Sequence, residues 1–227
     1  MPKRLKETMI RSDFHMHTAF STDSEEAVES MLNRAVERGL YSVCITDHMD
    51  ADYPPDDELG ESAFRLDTEN YFPFLLKKKK EYEERIQVRI GIELGLQKHL
   101  GTRYETLIEK YPFDFVIGSM HLVCGEDPYT GKVFEELGDA QVYRRMFCET
   151  LECIRKIKCF DVLGHLDYVV RYGKHQAEAY SYEKFSDEID MILRELISSG
   201  KGLELNMAGI KLSLIHISEP TRHAQIS

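Results

Sequence analysis

The sequence lacks the features that mark several large classes of protein. No apolar run in its 227 residues approaches the roughly 20 residues that a membrane-spanning helix needs, and the N-terminal decapeptide has no signal-peptide apolar segment. These absences predict a cytoplasmic protein with no membrane partner. Its five cysteines include no CxxC pair, so we expect reduced thiols rather than a disulfide framework.

Positive charge is also scarce. The chain has 29 Lys and Arg against 40 Asp and Glu, a net charge of −11, which repels phosphate backbones and argues against a nucleic-acid partner. With 42% hydrophobic and 30% charged residues, the composition is that of a soluble globular protein, neither disordered nor collagenous. The length suits one large domain or two small ones.

Motifs for cofactor binding and covalent catalysis are missing as well. The chain contains no GxGxxG, no GxxxxGK[ST] and no GxSxG. A nucleotide-binding open sheet therefore has no motif to support it, and a hydroxide nucleophile needs fewer assumptions than a covalent intermediate.

What the chain does have is a repeated alternation of strand and helix. Strands are predicted at 9–14, 41–46, 88–92, 114–117, 160–163 and 203–205, and helices at 28–38, 74–86, 101–110, 139–157 and 185–199. The first helix follows a possible capping box, Thr22 to Glu25. Such alternation predicts a parallel sheet, either rolled into a barrel or left open, and in a barrel all carboxyl ends of the strands meet on one face.

Polar side chains follow these strands. They are His15 and His17, Asp47 and His48, Glu93, His121 and His165. An HxH pair on an extended chain points both imidazoles to one face, although alone it favours a pair of solvent-facing or core histidines over a metal site. Together, the mixed nitrogen and oxygen set suits Zn, Mn or Fe, and a buried carboxylate can bridge two cations. Clustered cations lower the pKa of bound water to form hydroxide, and the natural substrates are phosphate esters.

Other polar residues are less distinctive. Arg171, four residues after Asp167, is placed to bind a phosphate at the face where the strands end, but its spacing fits a surface arginine equally well. His99 and His175 match no strand end, and we expect both at the surface.

The motifs in order are DFHMHTAFSTDS, ITDH, GIELG, GSMH and DVLGHLDYVVRYG. This series resembles the PHP superfamily of metal-dependent phosphoesterases, and within it the histidinol-phosphatase branch, over the chain up to about residue 209. The resemblance implies an α/β fold, a distorted TIM-like barrel of seven strands and seven helices.

The resemblance also implies a trinuclear site. Its ligands would be His15 and His17 at one ion, Glu93 bridging to a second ion held with His121 and His165, and Asp23 with His48 at a third. Arg171 would contact the substrate phosphate. Asp47 and Asp167 would serve catalysis by orienting the metal ligands.

The reaction expected from the resemblance is hydrolysis of L-histidinol phosphate, a small-molecule substrate, with two or three divalent ions (Zn, Mn or Fe). Two alternatives remain open: a phosphoesterase acting on a nucleotide or another phosphate ester, and an inactive metal-binding module.

The second alternative is prompted by the C-terminal sequence. The superfamily completes its site with an Asp-x-His motif, and none follows Asn206; residues 212–222, LSLIHISEPTR, instead resemble a translated sequencing adapter. We therefore expect a barrel domain over 1–211, truncated before its last strand, and a non-native tail over 212–227 whose histidines are not ligands. Two open sheet edges would then favour aggregation or an altered oligomer.

Overall fold

The computed structural model describes residues 11–55, 60 and 63–206. The strands in these ranges are β1 (Ser12–Asp13), β2 (Ser42–Ile45), β3 (His48–Met49), β4 (Gln87–Gly95), β5 (Phe115–Ser119), β6 (Val162–Leu163) and β7 (Gly202–Leu203). The helices are α1 (Val28–Glu37), α2 (Thr68–Glu81), α3 (Gly101–Lys110), α4 (Lys132–Leu137), α5 (Asp139–Lys156), α6 (Gln176–Ala179) and α7 (Tyr182–Ser198). Short 3-10 helices span Pro128–Thr130 and Tyr168–Tyr172.

The strands form one parallel sheet whose order follows the chain: β1, β2, β4, β5, β6, β7, with β3 continuing beside β4 after β2 ends. A sheet that adds its strands in chain order is wound in one direction only, as in a barrel, whereas a doubly wound sheet reverses direction at a switch point. The expected α/β TIM-like barrel fold is confirmed. No strand of the described residues joins β1 to β7, the two ends of the strand order, and we call the side between them the open side of the sheet.

Strand β4 shows why the sheet is rich in apolar residues. Eight of its nine residues, Val88 to Gly95, are buried or half-buried, because the strand has helices on one side and the interior of the curled sheet on the other. Glu93 lies inside this strand, which continues to Gly95, three residues beyond the predicted end at residue 92. A fully buried carboxylate among apolar neighbours needs polar partners, and the neighbouring strand ends supply them.

One helix start and one helix cap differ from the sequence predictions. Helix α2 begins at Thr68 rather than residue 74, because Asp67 caps it by accepting a hydrogen bond from the Asn70 N–H, and Pro73 lies inside it. The predicted capping box before α1 is wrong. The residue at that cap is Ala27, and the Thr22 hydroxyl instead accepts a hydrogen bond from the Phe64 N–H at 2.8 Å.

Two buried tyrosines hold the strand ends where the polar cluster begins. The Tyr71 hydroxyl, from α2, lies 3.0 Å from the carbonyl oxygens of Ile45 and Gly91, on β2 and β4. The Tyr104 hydroxyl, from α3, lies 3.1 and 2.6 Å from the carbonyl oxygens of Met49 and Gly95. These hydroxyls satisfy backbone groups at the break between β2 and β3, so the chain can leave the sheet and return at residue 48.

The connection between β5 and α5 contains the first 3-10 helix and α4. No helix of the described ranges is both long and apolar enough to cross a bilayer. The proposed boundary at residue 211, the adapter-like tail and its two histidines lie outside the described residues, so those expectations stay predictions, as does the cytoplasmic location.

Candidate metal centre

The polar side chains predicted from the strand ends meet at the carboxyl end of the sheet. They border a cavity of about 540 Å³ whose walls include His15, His17, Asp23, His48, His121, His165 and Arg171. They belong to β3 or to the segments that follow β1, β5 and β6, and the parallel sheet brings them to one face. The convergence expected from the sequence is therefore observed.

Glu93 lies at the centre of the cluster and is completely buried. Its Oε1 accepts a hydrogen bond from the Ser119 hydroxyl at 2.6 Å, which fixes the carboxylate plane. Five imidazoles surround it, with nitrogen-to-oxygen distances of 3.2 Å for His15, 3.0 Å for His17, 3.3 Å for His48, 3.4 Å for His121 and 3.0 Å for His165. One carboxylate therefore faces all five histidines of the predicted ligand set.

Three groups of side chains have ligand atoms close enough to share an ion, all within 4.8 Å of one another. They are His15, His17 and Glu93; His17, Asp23 and His48; and His48, Glu93 and His121. The resemblance groups these residues at three ions with two differences: it places His165 rather than His48 with His121, and it places Asp23 with His48 without His17. His165 is nonetheless near, with its Nε2 3.0 Å from Glu93 Oε1.

Several of the inward-facing atoms have no hydrogen-bond partner. Among the described residues, His17 Nε2, His121 Nε2 and Glu93 Oε2 are buried and unpartnered, although His17 Nε2 and Glu93 Oε2 lie 3.0 Å apart. An unpaired buried polar atom is costly, and lone pairs that point into shared space suit a cation. Imidazole nitrogen and carboxylate oxygen are the ligands preferred by zinc and similar divalent ions, so the residues present fit such a site.

Carboxylates behind the histidines hold their outer nitrogens. His17 Nδ1 lies 2.8 Å from Asp23, a predicted ligand. His121 Nδ1 lies 2.6 Å from Asp50, which is also 3.1 Å from His48 Nδ1. Such partners orient metal-binding imidazoles and fix their tautomers.

Sequence reasoning missed Asp50 and, behind His15, Glu204, whose Oε1 lies 2.6 Å from His15 Nδ1. Both had a signal in the sequence. Asp50 is two residues from His48, and Glu204 is a single acid between Leu203 and Leu205 in a predicted strand.

The charges in the cluster shift its protonation strongly. Burial alone would lower the pKa of His15, but hydrogen bonds to Glu204 and Glu93 raise it to about 10. Burial would likewise lower the pKa of His48, but attraction to Glu93 raises it to about 9. Burial would raise the pKa of Glu93, yet the nearby imidazoles His48 and His121 hold it well below its ordinary value. Without a cation, imidazolium protons supply the charge that Glu93 requires, and a divalent ion would displace them.

His165 is the exception among these imidazoles. Its burial, aided by repulsion from His121 and His15, lowers its pKa despite the contact with Glu93. A neutral imidazole is the form that binds a metal.

The two residues assigned to catalysis lie outside the cavity wall. Asp47 is fully buried and accepts hydrogen bonds from the backbone N–H and the hydroxyl of Thr18, at 2.6 and 2.9 Å. Burial raises the pKa of Asp47, although those hydrogen bonds act to lower it. It thus anchors the segment that follows His17, which agrees with a positioning role, and that role stays a prediction. Asp167 Oδ1 lies 3.6 Å from Arg171 Nη2, and its role in orienting the metal ligands stays a prediction.

Arg171 lines the cavity and stacks near the Tyr168 ring, 5.7 Å from its centroid. Its Nε and Nη2 are buried without a hydrogen-bond partner in the described structure. Nη2 also lies 3.6 Å from Asp167 Oδ1, in an ion pair too long for a hydrogen bond. Guanidinium donors that make no hydrogen bond, on a residue that lines the cavity, are suited to an anionic oxygen group. The surface histidines are where they were expected: the His99 side chain is 61% exposed, and His175 is exposed.

Comparison with known proteins gives a consistent picture. The PHP domain family profile matches residues 13–208. The histidinol-phosphatase of Lactococcus lactis is 30% identical over 200 residues, covering 87% of this chain and 72% of that protein. A probable histidinol-phosphatase of Clostridium acetobutylicum is 33% identical over 195 residues, covering 86% and 72%.

Solved structures show the same likeness. The Lactococcus lactis histidinol phosphate phosphatase, crystallised with zinc, L-histidinol and phosphate, superposes with a TM-score of 0.79 at 29% identity, covering 87% of this chain and 73% of that one. The histidinol phosphatase structure from Listeria monocytogenes has a TM-score of 0.75 at 19% identity, which speaks for the fold alone. Because the family profile spans most of the chain and its sheet carries the histidine and carboxylate cluster at the expected strand ends, the chain belongs to the PHP domain family.

Proposed function

We propose that the protein is a metal-dependent phosphomonoester hydrolase of the histidinol-phosphatase type, converting L-histidinol phosphate and water to L-histidinol and phosphate. The observation that carries the proposal is that one cavity is lined both by the histidine and carboxylate cluster around Glu93 and by Arg171, whose Nε and Nη2 have no hydrogen-bond partner in the described structure. The relatives named above support the choice of substrate.

Two or three divalent ions, Zn, Mn or Fe, would bind as the resemblance implies: His15, His17 and Glu93 at one, Glu93, His121 and His165 at a second, and Asp23 and His48 at a third. When bound, these ions supply an activated water and offset charge on the phosphate oxygens. Asp50 and Asp47 keep the imidazoles and the His17 segment in place while this chemistry occurs.

Arg171 would bind the phosphate oxygens through Nε and Nη2, the two donors that have no hydrogen-bond partner in the described structure. Farther along the same cavity, the Asp127 carboxylate is held by the Tyr53 hydroxyl at 2.5 Å and, beside it, the ring of Tyr129 borders the space. A carboxylate among aromatic rings suits the ammonium group of histidinol, which is positively charged at neutral pH.

The test compares substrates and variants on protein that is stripped of metal and reloaded with Zn, Mn or Fe. We expect phosphate release from L-histidinol phosphate and little from a nucleoside monophosphate. In Arg171→Ala the KM for L-histidinol phosphate should rise by about 10-fold or more, since charge-assisted hydrogen bonds to phosphate are lost. Arg194→Ala is the matched control, because that side chain is 81% exposed on α7.

Binding of L-histidinol together with phosphate to the metal-loaded protein, measured by calorimetry, provides a second readout that does not require turnover. Equal or better hydrolysis of the nucleotide would assign a different substrate. Absence of both turnover and binding with all three metals would support the inactive metal-binding module.

A further inference from the structure

The open side of the sheet has a polar connection that the strand pairing does not supply. β1 pairs with β2 and β7 pairs with β6, and these two strands are the ends of the described strand order. The side chains that follow them nevertheless meet. His15 lies two residues after β1 and Glu204 one residue after β7, and His15 Nδ1 is 2.6 Å from Glu204 Oε1.

The second oxygen of Glu204 is also used. Its Oε2 accepts a hydrogen bond from the His165 backbone N–H at 2.8 Å, and the Glu204 N–H donates to the Leu163 carbonyl at 2.8 Å. One carboxylate therefore joins the segments after β1, β6 and β7. The Glu204 side chain is only 17% exposed, so these contacts are partly shielded from water.

The contact decides which nitrogen of His15 is available to an ion. A carboxylate can only accept, so Nδ1 carries the proton that it donates to Glu204. The Nε2 lone pair is then free in the neutral ring, and Nε2 lies 3.2 Å from Glu93 Oε2, within the group formed by His15, His17 and Glu93. A carboxylate partner also orients the ring and increases its strength as a ligand.

We propose that Glu204 is a positioning residue that aims His15 at the cation shared with His17 and Glu93 while tying β7 to β1 across the open side of the sheet. The proposal rests on the metal-dependent function proposed above. It concerns one ion position, because Asp50 holds the outer nitrogen of His121 and Asp23 that of His17.

The experiment measures zinc affinity in competition with a chromophoric chelator, together with the number of zinc ions bound. Relative to the unchanged protein, we expect Glu204→Ala to weaken the affinity of one zinc ion by about 10- to 100-fold and to leave the others near their original affinity. Glu204→Gln, which keeps the volume and one acceptor oxygen, should recover part of the loss. Glu195→Gln is the matched control: its side chain is 23% exposed and also ion-paired, 2.8 Å from Lys158, but on α7.

A second readout needs no variant of Glu204. In ¹⁵N-histidine spectra of the zinc-loaded protein, the signal lost in His15→Asn should show a proton on Nδ1 and the metal at Nε2. Zinc affinities in Glu204→Ala within twofold of the unchanged protein would overturn the proposal, as would a proton on His15 Nε2. If Glu204→Ala does not fold, Glu204→Gln and these spectra decide the matter.

Hydrolysis of L-histidinol phosphate is assayed in parallel. A protein that binds zinc through His15 as described but hydrolyses a different ester would contradict the proposed substrate and leave the role of Glu204 supported. Hydrolysis of L-histidinol phosphate by a protein whose zinc affinity does not change in Glu204→Ala would support the proposed substrate and contradict the role of Glu204.

Discussion

Asp50 and Glu204 perform similar tasks in two different regions of the sheet. Asp50 lies in the continuous centre, where it contacts His48 and His121 and is only 3% exposed. Glu204 lies at the open side, where it contacts His15 and the backbone of His165 and is partly exposed. Each carboxylate accepts from the outer side of an imidazole whose other side faces Glu93.

The regions differ in what else holds the histidines. In the centre, backbone pairing places His48 directly opposite Glu93 on adjacent strands, so the ladder itself sets that distance. At the open side, β1 and β7 belong to opposite ends of the strand order, and a side-chain contact joins them. Burial makes the central contacts more important for stability, whereas the contact at the open side should matter mainly for the ion at His15.

The largest effect is expected where the two regions share a residue. Glu93→Gln keeps the shape of the side chain but removes the charge that faces all five imidazoles. We expect zinc affinity at two positions to fall by more than the roughly 100-fold that loss of an outer partner causes. Zinc titration of this variant checks the prediction; retention of both ions at their original affinity would show that Glu93 does not bridge them.

Asp50→Asn in the centre of the sheet should lower the free energy of unfolding more than Glu204→Gln at the open side. Burial alone would raise the pKa of Asp50, but attraction to His121 and His48 and the hydrogen bonds from both hold that pKa below its ordinary value. The carboxylate is therefore charged in the folded protein. Breaking a buried pair of this kind costs about 3–5 kcal/mol. Glu204→Gln should cost clearly less. Urea denaturation of both metal-free variants measures the difference, and equal losses would contradict the proposed contrast.

Gly95→Ala tests the role of Asp50 in the centre of the sheet without changing a predicted metal ligand. A β-carbon at residue 95 would collide with the carboxylate of Asp50, which would have to leave His121. We expect zinc affinity to fall by about 10-fold, as on loss of an outer partner. Gly101→Ala is the control, because a β-carbon there meets only Ile157 Cγ1, at an ordinary 3.5 Å. Similar zinc affinities in the two variants would show that Asp50 can shift at no cost.

The smallest effect concerns thiol labelling, which reports how buried and half-buried parts of the sheet open. Burial raises the pKa of Cys44, on β2, to about 12, and it also raises the pKa of Cys159, three residues before β6. Cys44 is fully buried and Cys159 half-buried. Mass spectrometry should show slow labelling of Cys159 through local opening, and labelling of Cys44 only on unfolding. The exposed thiols Cys124 and Cys148 should react first. Labelling of Cys44 before Cys159 would reverse the assigned order of stability.

Much of the site followed from the sequence, because its members come at the ends of predicted strands. His15 and His17, Glu93 and His121 were all identified that way, before any distance was known. Asp50 was missed because it is one more acid beside an expected ligand, and Glu204 because it was counted as part of a strand. The capping role given to Thr22 was wrong because its hydroxyl is used by Phe64, more than 40 residues away, and local spacing cannot reveal such a partner.

The sequence by itself determined the parallel α/β architecture and the kind of chemistry at one face. Apolar strands alternate with amphipathic helices, and parallel strands end on the same side, so polar residues after the strands must share that side. Only the tertiary structure decided which carboxylate stands behind which imidazole. These pairs, such as His15 with Glu204, lie far apart along the chain, and the curvature of the sheet sets the distance between them.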